Sequence, residues 1–368
     1  MRTQLLQFDL PPDRIAQAPC HPRDAARLMV LDRATGEIQH RIFRDLTEFL
    51  RPADLLVRNV SRVLPARFTA RRATGASLDA LLVRADAPDQ WTILLTGAGR
   101  LRPGESLELV GSDARITLLE RLERGLCQVA LSPPQEAEPL LARIGRAPLP
   151  PYIRRAKAAA DPRDASDRDD YQTVYARETG SVAAPTAGMH FTPDLLDRLR
   201  AAGVNTADLI LHVGLGTFAP VEVDDLDHHP MHTESYDLPD STVRAVDAAR
   251  RAGGRVFAVG TTTVRVLETV AAHVAASSNQ GDPSREPAQG SEQLATLRPM
   301  AGTTNILIQP PWNFRAVDAL ITNFHLPGST LLALVAAFAG LDRILNAYRI
   351  AIDNDYRFFS YGDAMLII

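Results

Sequence analysis

Cysteine is nearly absent. Cys20 and Cys127 are the only two in 368 residues, more than a hundred positions apart and without His or Cys neighbours at metal-ligand spacing. That excludes a disulfide framework and a zinc finger, and it favours a reducing compartment. Lysine is scarcer still: 39 of the 40 basic residues are arginine, and only Lys157 is lysine. Every phosphate contact but one would therefore come from a planar, bidentate-capable guanidinium. Long apolar runs are missing as well. The longest, Leu331 to Gly340, covers about half of the roughly 20 residues a membrane-spanning helix needs, and it reads as a buried helix. Met1 to Leu10 has neither the apolar run nor the cleavage pattern of a secretory signal, so a cytoplasmic chain is expected. The net charge of −4 gives no global attraction to nucleic acid, so such a partner would need a local basic surface.

What remains is an ordinary globular composition. Its 45% apolar and 23% charged residues argue against disorder, and the length points to two domains or one domain with a large insert. Short apolar runs punctuated by Gly, Pro and Asp read as strands, among them Arg27 to Asp32, Asp54 to Arg58, Ala80 to Arg84 and Trp91 to Leu95. They continue through Ser106 to Val110, Ala114 to Leu119 and Cys127 to Leu131, so residues 65 to 140 or so predict a small all-β barrel. The Pro-rich Arg146 to Tyr152 then marks a boundary. Thr192-Pro-Asp-Leu-Leu, closed by Gly203, predicts a capped helix. Asp208 to Val213, a helix over Ser241 to Ala252, Arg255 to Gly260 and Val317 to Thr322 make the second half α/β, as a barrel or a doubly wound sheet. Ser277 to Gln293 has almost no apolar residues and reads as a surface loop.

Several segments carry polar groups where chemistry is usually placed. His212 to Ala219 formally satisfies a dinucleotide-binding Gly pattern, but Pro220 and Val-Glu-Val look extended, so no helix N-terminus faces a pyrophosphate. His228, His229, His232 and Glu234 are possible metal ligands by type, yet Pro230 prevents the helix that would align them. Solvated loop histidines or substrate contacts are preferred to a metal. Gly260-Thr-Thr-Thr-Val-Arg265 follows a strand and opens a helix, which suits an anion or, equally, simple N-capping. Asn323-Phe-His325 to Thr330 lies at the C-terminal end of a predicted strand, where α/β enzymes gather catalytic loops. Arg51 to Arg84 holds seven Arg and two Asp and is the best polyanion footprint.

Taken together these segments resemble the S-adenosylmethionine:tRNA ribosyltransferase-isomerase family of queuosine biosynthesis. The resemblance runs through Phe8-Asp-Leu-Pro, Leu64-Pro-Ala-Arg67, Pro148-Leu-Pro-Pro-Tyr-Ile153, Tyr171-Gln-Thr-Val-Tyr175, Ala183-Ala-Pro-Thr-Ala-Gly188 and His190-Phe-Thr192. It continues through Met231-His-Thr-Glu234, Asp318 to Pro327, Ser329-Thr-Leu-Leu332 and Tyr356 to Ile367. Two segments depart from the family pattern: Asn59-Val-Ser-Arg62 stands where Asn-Asp-Thr-Arg is usual, and Gln309-Pro-Pro-Trp312 replaces Tyr-Pro-Gly-Tyr.

The resemblance implies a large α/β barrel-like domain, residues 1–62 and 145–368, with an inserted all-β barrel over residues 63–144 and a loop at 277–293. It implies transfer of the ribosyl part of S-adenosylmethionine onto 7-aminomethyl-7-deazaguanine in the tRNA anticodon, isomerisation to epoxyqueuosine, and release of adenine and methionine. S-adenosylmethionine is then a substrate, with no permanently bound cofactor, no metal and no obligate protein partner; a monomer is expected. Proton transfer would fall to His190, His212 and His325, with Glu234 and Asp363 facing the sulfonium or ribose. Thr261, Thr262 and Arg265 would hold the methionine carboxylate, with Asn323 and Ser329 as further substrate contacts. Arg62 and Arg67 would meet the tRNA backbone, and Tyr152, Tyr171 and Tyr175 would stack on splayed bases. Two other readings stand beside it: a relative that binds tRNA without turnover, motivated by Val60 and Pro311, and a metal-dependent hydrolase built on the histidine cluster.

Overall fold

The computed structural model describes residues 1–155, 161–214, 216, 221–279 and 296–368. Internal contacts divide the chain into two compact units. One comprises Met1–Ser61, Thr173–Glu178 and Pro185–Ile368; the other comprises Arg62–Gln172 and Thr179–Ala184.

The first unit is built on a nine-stranded mixed sheet. Its order is Met300–Thr304, Glu234–Leu238, Asn205–Leu211, Leu55–Asn59, Val256–Val259, Ala319–Asn323, Ala364–Ile367, Arg27–Leu31 and Ile38–Ile42. The middle four, Asn205–Leu211 through Ala319–Asn323, run parallel, and two of them, Val256–Val259 and Ala319–Asn323, lead into the helices Thr261–Asn279 and Thr330–Ala339. Leu55–Val57, Val256–Val259 and Ala319–Ile321 are fully buried, the continuous apolar pattern of strands covered on both faces. Antiparallel strands flank this centre on both sides. The choice between a closed barrel and an open sheet, left open by the sequence, falls to an open order with Met300–Thr304 and Ile38–Ile42 at its edges.

Local signals behave as expected. Thr192 caps the helix Pro193–Ala201, its hydroxyl accepting from the Leu195 amide at 3.2 Å, and Gly203 follows at φ +83°. The apolar run forms the helix Thr330–Ala339, buried from Leu332 to Ala336. No single helix among the described residues is long and apolar enough to cross a membrane. The helix expected to open after Gly260 runs over Thr261–Asn279 and takes up the first residues of the expected 277–293 loop; residues 280–293 lie outside the described residues.

Asn59 shows how the sheet holds its functional end. Its side-chain oxygen accepts from the Leu211 and Ser61 amides at 3.1 and 3.0 Å, and its nitrogen donates to the Leu211 carbonyl at 3.0 Å. Two neighbouring strand ends are thereby tied inside the core. Asn59→Ala leaves three buried backbone groups unpaired and should cost about 2 kcal/mol in urea denaturation. The adjacent Val60 is 1% exposed; its amide donates to Leu209 and its carbonyl accepts from Arg177 and Glu178. The position of the family's usual aspartate is therefore a packed apolar one here.

The second unit contains a closed six-stranded barrel of Arg67–Arg71, Ser77–Ala87, Gln90–Leu95, Ser106–Leu109, Arg115–Arg121 and Leu126–Ser132. Alternation sends Cys127, Val129 and Leu131 of one strand inward with Trp91, Ile93 and Leu95 of its neighbour. Residues 145–172, joined to the α/β part in the sequence reading, fall by their contacts in this second unit. The backbones of Arg67 and Arg146 exchange hydrogen bonds, and the Gln172 amide bonds the Val63 backbone in both directions.

Candidate active site

The strand registers gather the sequence-predicted groups at one edge of the sheet in the first unit. His212 follows the end of Asn205–Leu211, Thr261 follows Val256–Val259, and Asn323 closes Ala319–Asn323. The antiparallel partners contribute their beginnings: Glu234 opens the strand paired with Asn205–Leu211, and Asp363 precedes Ala364, which pairs with Asn323. This is the edge where open α/β sheets bind ligands. Glu234 and Asp363 are nevertheless five strands apart, on the order of 20 Å, so they do not act on one atom. Two clusters result.

The first is a cleft of about 450 Å³ lined by Gly216, His229, Met231, His232, Glu234, Arg265, Ile306 to Ile308, Thr330, Leu331 and Leu334. Arg265 projects from the helix that follows Val256–Val259 and donates through Nη1 to Glu234 Oε2. Glu234 Oε1 accepts from the Gly214 amide at 2.9 Å. Both charged side chains are buried, at 7% and 3% exposure. Arg265 Nε and Nη2 and the Thr262 hydroxyl are buried without a partner among the described residues. His232 packs directly on Gly216, where any Cβ would collide with its ring. That close approach accounts for the second glycine of the Gly-x-Gly segment; Leu215 and Thr217 to Pro220 lie outside the described residues. No group of three His, Cys, Asp or Glu side chains among the described residues is placed to hold a metal.

The second cluster centres on Asn323. Its side-chain nitrogen donates to the Phe359 carbonyl at 3.3 Å and to His190 Nε2 at 3.1 Å, and its oxygen accepts from the Thr186 hydroxyl at 2.8 Å. Because a carbonyl only accepts, the Phe359 contact fixes which way the amide points. His190 Nε2 must then be the acceptor, and the proton of the neutral ring sits on Nδ1. Burial, with Arg357 and Arg23 nearby, lowers the His190 pKa to about 3. A pocket of about 220 Å³ joins His190 to Pro19, Cys20, Arg23, Met189, Ser360, Tyr361 and Gly362. Gly362 is required there, since a Cβ would strike the Arg357 and Phe358 carbonyls. Cys20, Arg23, Ser360 and Tyr361 were missed by sequence reasoning, although the Tyr356 to Ile367 motif already contained two of them.

Other expected site residues prove committed elsewhere. The Asp363 carboxylate accepts from the Arg27 and Arg357 amides at 3.0 and 2.8 Å, so it holds the Arg357 to Asp363 loop rather than facing a sulfonium. Ser329 caps its helix, accepting from the Leu332 amide and donating to the Leu326 carbonyl; the cleft is lined by Thr330 instead. His325 Nε2 contacts the Thr322 hydroxyl at 2.8 Å, and burial pushes its pKa well below the imidazole range. His212 is also lowered, by burial more than Glu178 raises it, and its Nδ1 is buried without a partner among the described residues.

The basic segment is largely neutralised. Arg51 meets Asp54, Arg58 meets Asp208, Arg67 meets Asp79, Arg72 meets Glu105 and Arg84 meets Asp86. Arg67 is thus a partner of Asp79 rather than an open phosphate contact, while Arg62 and Arg71 are exposed and make no ion pair among the described residues. Tyr171 is fully buried and offers no face to a base. Tyr175 packs its ring under the Arg58 guanidinium at 4.5 Å with its hydroxyl buried. Tyr152 is half-buried. A further anchor that sequence reasoning missed is buried Glu268, which accepts from Trp312 Nε1 and from the Arg315 and Ala316 amides. It fixes the departing Gln309-Pro-Pro-Trp312 segment.

Comparison with known proteins places this geometry in context. Residues 3–367 match the family described as queuosine biosynthesis protein. The S-adenosylmethionine:tRNA ribosyltransferase-isomerase of Symbiobacterium thermophilum is 47% identical over 371 residues, and that of Thermotoga maritima is 46% identical over 368; each match spans 100% of both chains. The crystal structure of S-adenosylmethionine tRNA ribosyltransferase from Thermotoga maritima covers 99% of this chain and 100% of its own, with a TM-score of 0.52 and 37% identity over the superposed residues. With the match running almost end to end, the chain belongs to the queuosine biosynthesis protein family.

Proposed function

We propose that the chain transfers the ribosyl moiety of S-adenosylmethionine to 7-aminomethyl-7-deazaguanine in a tRNA anticodon and isomerises it to epoxyqueuosine, releasing adenine and methionine. The observation that carries this reading is full-length likeness, at 46–47% identity, to relatives named for that reaction. The gathering of His190, His212, Glu234, Arg265 and Asn323 at one sheet edge supports it. A tRNA-binding relative without turnover is not favoured, because Val60 is accommodated as a packed core residue. The histidine-cluster hydrolase is not favoured either, since no group of three His, Cys, Asp or Glu side chains among the described residues, His229, His232 and Glu234 included, is placed to hold a metal.

The chemistry needs a base for the carbon beside the sulfonium, an acid for departing adenine, and exclusion of water. His212, kept neutral by burial, has a lone pair to accept that proton. His190 is also neutral, and with Nε2 bonded to Asn323 it acts as a donor through Nδ1. Thr261 and Thr262 serve as donor-substrate contacts in the turn after Val256–Val259. The reading also takes residues 1–62 and 145–368 as the catalytic part with 63–144 inserted, and the protein as a cytoplasmic monomer meeting its tRNA there. The test is mass spectrometry of precursor tRNA incubated with protein and S-adenosylmethionine. Epoxyqueuosine with one adenine released per product supports the reading, and tRNA binding without product beside an active control enzyme overturns it.

For tRNA contact, exposed Arg62 replaces Arg67 as the better candidate. Arg62→Ala should weaken tRNA binding similarly for all base sequences and reduce the slope of log Kd against log salt by about one. An unchanged slope in filter-binding titrations removes Arg62 from the interface.

A further inference from the structure

Residues 305–316 join the edge strand Met300–Thr304 to the central strand Ala319–Asn323 with no helix or strand of their own. No backbone-to-backbone hydrogen bond holds them among the described residues. The conformation of such a stretch rests on whatever side chains pin it. Its first part, Ile306 to Ile308, nevertheless forms a wall of the cleft that contains Arg265. The pins come from the helix that carries Arg265. Glu268 and Thr269 lie three and four residues beyond it on Thr261–Asn279, so the three side chains share one face. Thr269 meets the Thr304 hydroxyl at 2.7 Å, and Thr304 accepts from the Ile306 amide at 3.2 Å, which fixes the near end. Glu268 fixes the far end: its carboxylate accepts from the Arg315 and Ala316 amides at 3.1 and 2.9 Å and from Trp312 Nε1 at 3.4 Å. Two further contacts lie there: Arg250 donates to the Arg315 carbonyl at 3.2 Å, and the Phe314 ring meets Phe338 edge-on. Burying a carboxylate is costly unless its oxygens are well bonded, and three N–H groups of this one segment supply the bonds.

We propose that Glu268 is a positioning residue for the reaction: with Thr269 it straps residues 305–316 to the helix that bears Arg265, and so fixes the Ile306 to Ile308 wall opposite the Arg265 guanidinium. The proposal rests on the ribosyl-transfer reading, in which Arg265 contacts the donor, and it adds what sets the width of that cleft. Guanidinium and wall are held by one face of one helix. Loosening the strap widens the cleft without altering a group that touches the reacting atoms. Ground state and transition state of the donor are then weakened alike, so KM for S-adenosylmethionine rises while kcat holds.

The experiment releases each end of the strap separately. Glu268→Gln keeps one oxygen for the two amides but turns an N–H toward Trp312 Nε1, and Thr269→Val removes the hydroxyl at the near end with little change of shape. Each should raise KM for S-adenosylmethionine about ten-fold at saturating precursor tRNA, with kcat within about three-fold of the wild type. A second readout needs no substrate. Trp312 is one of two tryptophans, and the other, Trp91, is fully buried in the barrel. Emission of Trp312, taken as the difference from Trp312→Phe, should shift to the red in Glu268→Gln as the indole leaves its carboxylate. Unshifted emission overturns the strap. So does a KM unchanged in both variants, or a kcat that falls with KM unchanged, which is the mark of a merely structural role. Should Glu268→Gln fail to fold, Thr269→Val carries the same kinetic test. Absence of turnover by the wild-type protein strikes the ribosyl-transfer reading instead, while emission still decides the strap.

Discussion

Replacing Asn323 by leucine should lower kcat/KM for ribosyl transfer by about 100-fold, the scale expected when a reacting group is misplaced by about an ångström. Asn323 is a positioning residue: its amide nitrogen holds both His190 Nε2 and the Phe359 carbonyl, while its oxygen receives the Thr186 hydroxyl. Leucine keeps the branched shape with somewhat more bulk but makes none of these bonds, and it leaves the Phe359 carbonyl and His190 Nε2 unsatisfied, at a cost of about 2–4 kcal/mol in stability. Phe359 already sits at φ +71°, a conformation unfavourable for a side chain, so its loop depends on such outside support. Asn323→Asp separates position from bulk. The carboxylate can still accept from Thr186, but toward His190 it presents an acceptor and a charge. That draws a proton onto the ring and moves its titration upward, towards the ordinary imidazole range. NMR titration of His190 in both proteins checks the electrostatic half of the argument. An Asn323→Leu enzyme retaining activity within three-fold, or an Asn323→Asp variant with His190 still neutral at pH 5, would show that the imidazole is held by something else.

How much of this was legible beforehand depends on how local each signal is. The Thr192 cap, the closing Gly203 and the alternating barrel strands are decided within a few residues, and the structure follows them. The buried centre of the sheet was visible in Leu55 to Val57 and Val256 to Val259 for the same reason. Strand order was not legible, because it depends on Glu234–Leu238 and Met300–Thr304. These short polar segments look like loops until they pair with each other. Among site residues, the sequence could say that Asp363, Ser329 and Tyr171 are of a functional type. It could not say that the Arg27 amide, 336 positions away in sequence, already occupies Asp363, or that Tyr171 would be wholly enclosed. Local charge misled in the same way: Arg51 to Arg84 counts as strongly basic in sequence, yet its acidic partners Asp86, Glu105 and Asp208 lie outside that window. The Arg265 to Glu234 pair joins residues drawn from two separate motifs, and only the fold reveals that they share one cleft.

Acid should destabilise the protein in a way that identifies His190. The folded-state pKa is about 3, and the unfolded value is that of a free imidazole, about 6.5. Between those values the unfolded chain binds a proton that the folded protein refuses. Stability therefore rises with pH across this window and is lost as pH falls through about 6.5. By pH 4.5 the loss attributable to this one ring is on the order of 2–3 kcal/mol relative to pH 7. Carboxylates also titrate in this range, so the wild-type curve alone does not isolate the effect. His190→Gln cannot take up the proton, and the gap in unfolding free energy between variant and wild type should narrow by that same amount from pH 7 to 4.5 in urea titrations. A gap constant to within about 0.5 kcal/mol would mean that the ring is not buried in its neutral form. The activity profile follows from the same assignment: a histidine that stays neutral down to about pH 3 contributes no acid limb to kcat/KM. Any loss of activity between pH 7 and 5 then belongs to another group, with His212 the first to test by substitution, while His190 remains a hydrogen-bond donor throughout that range.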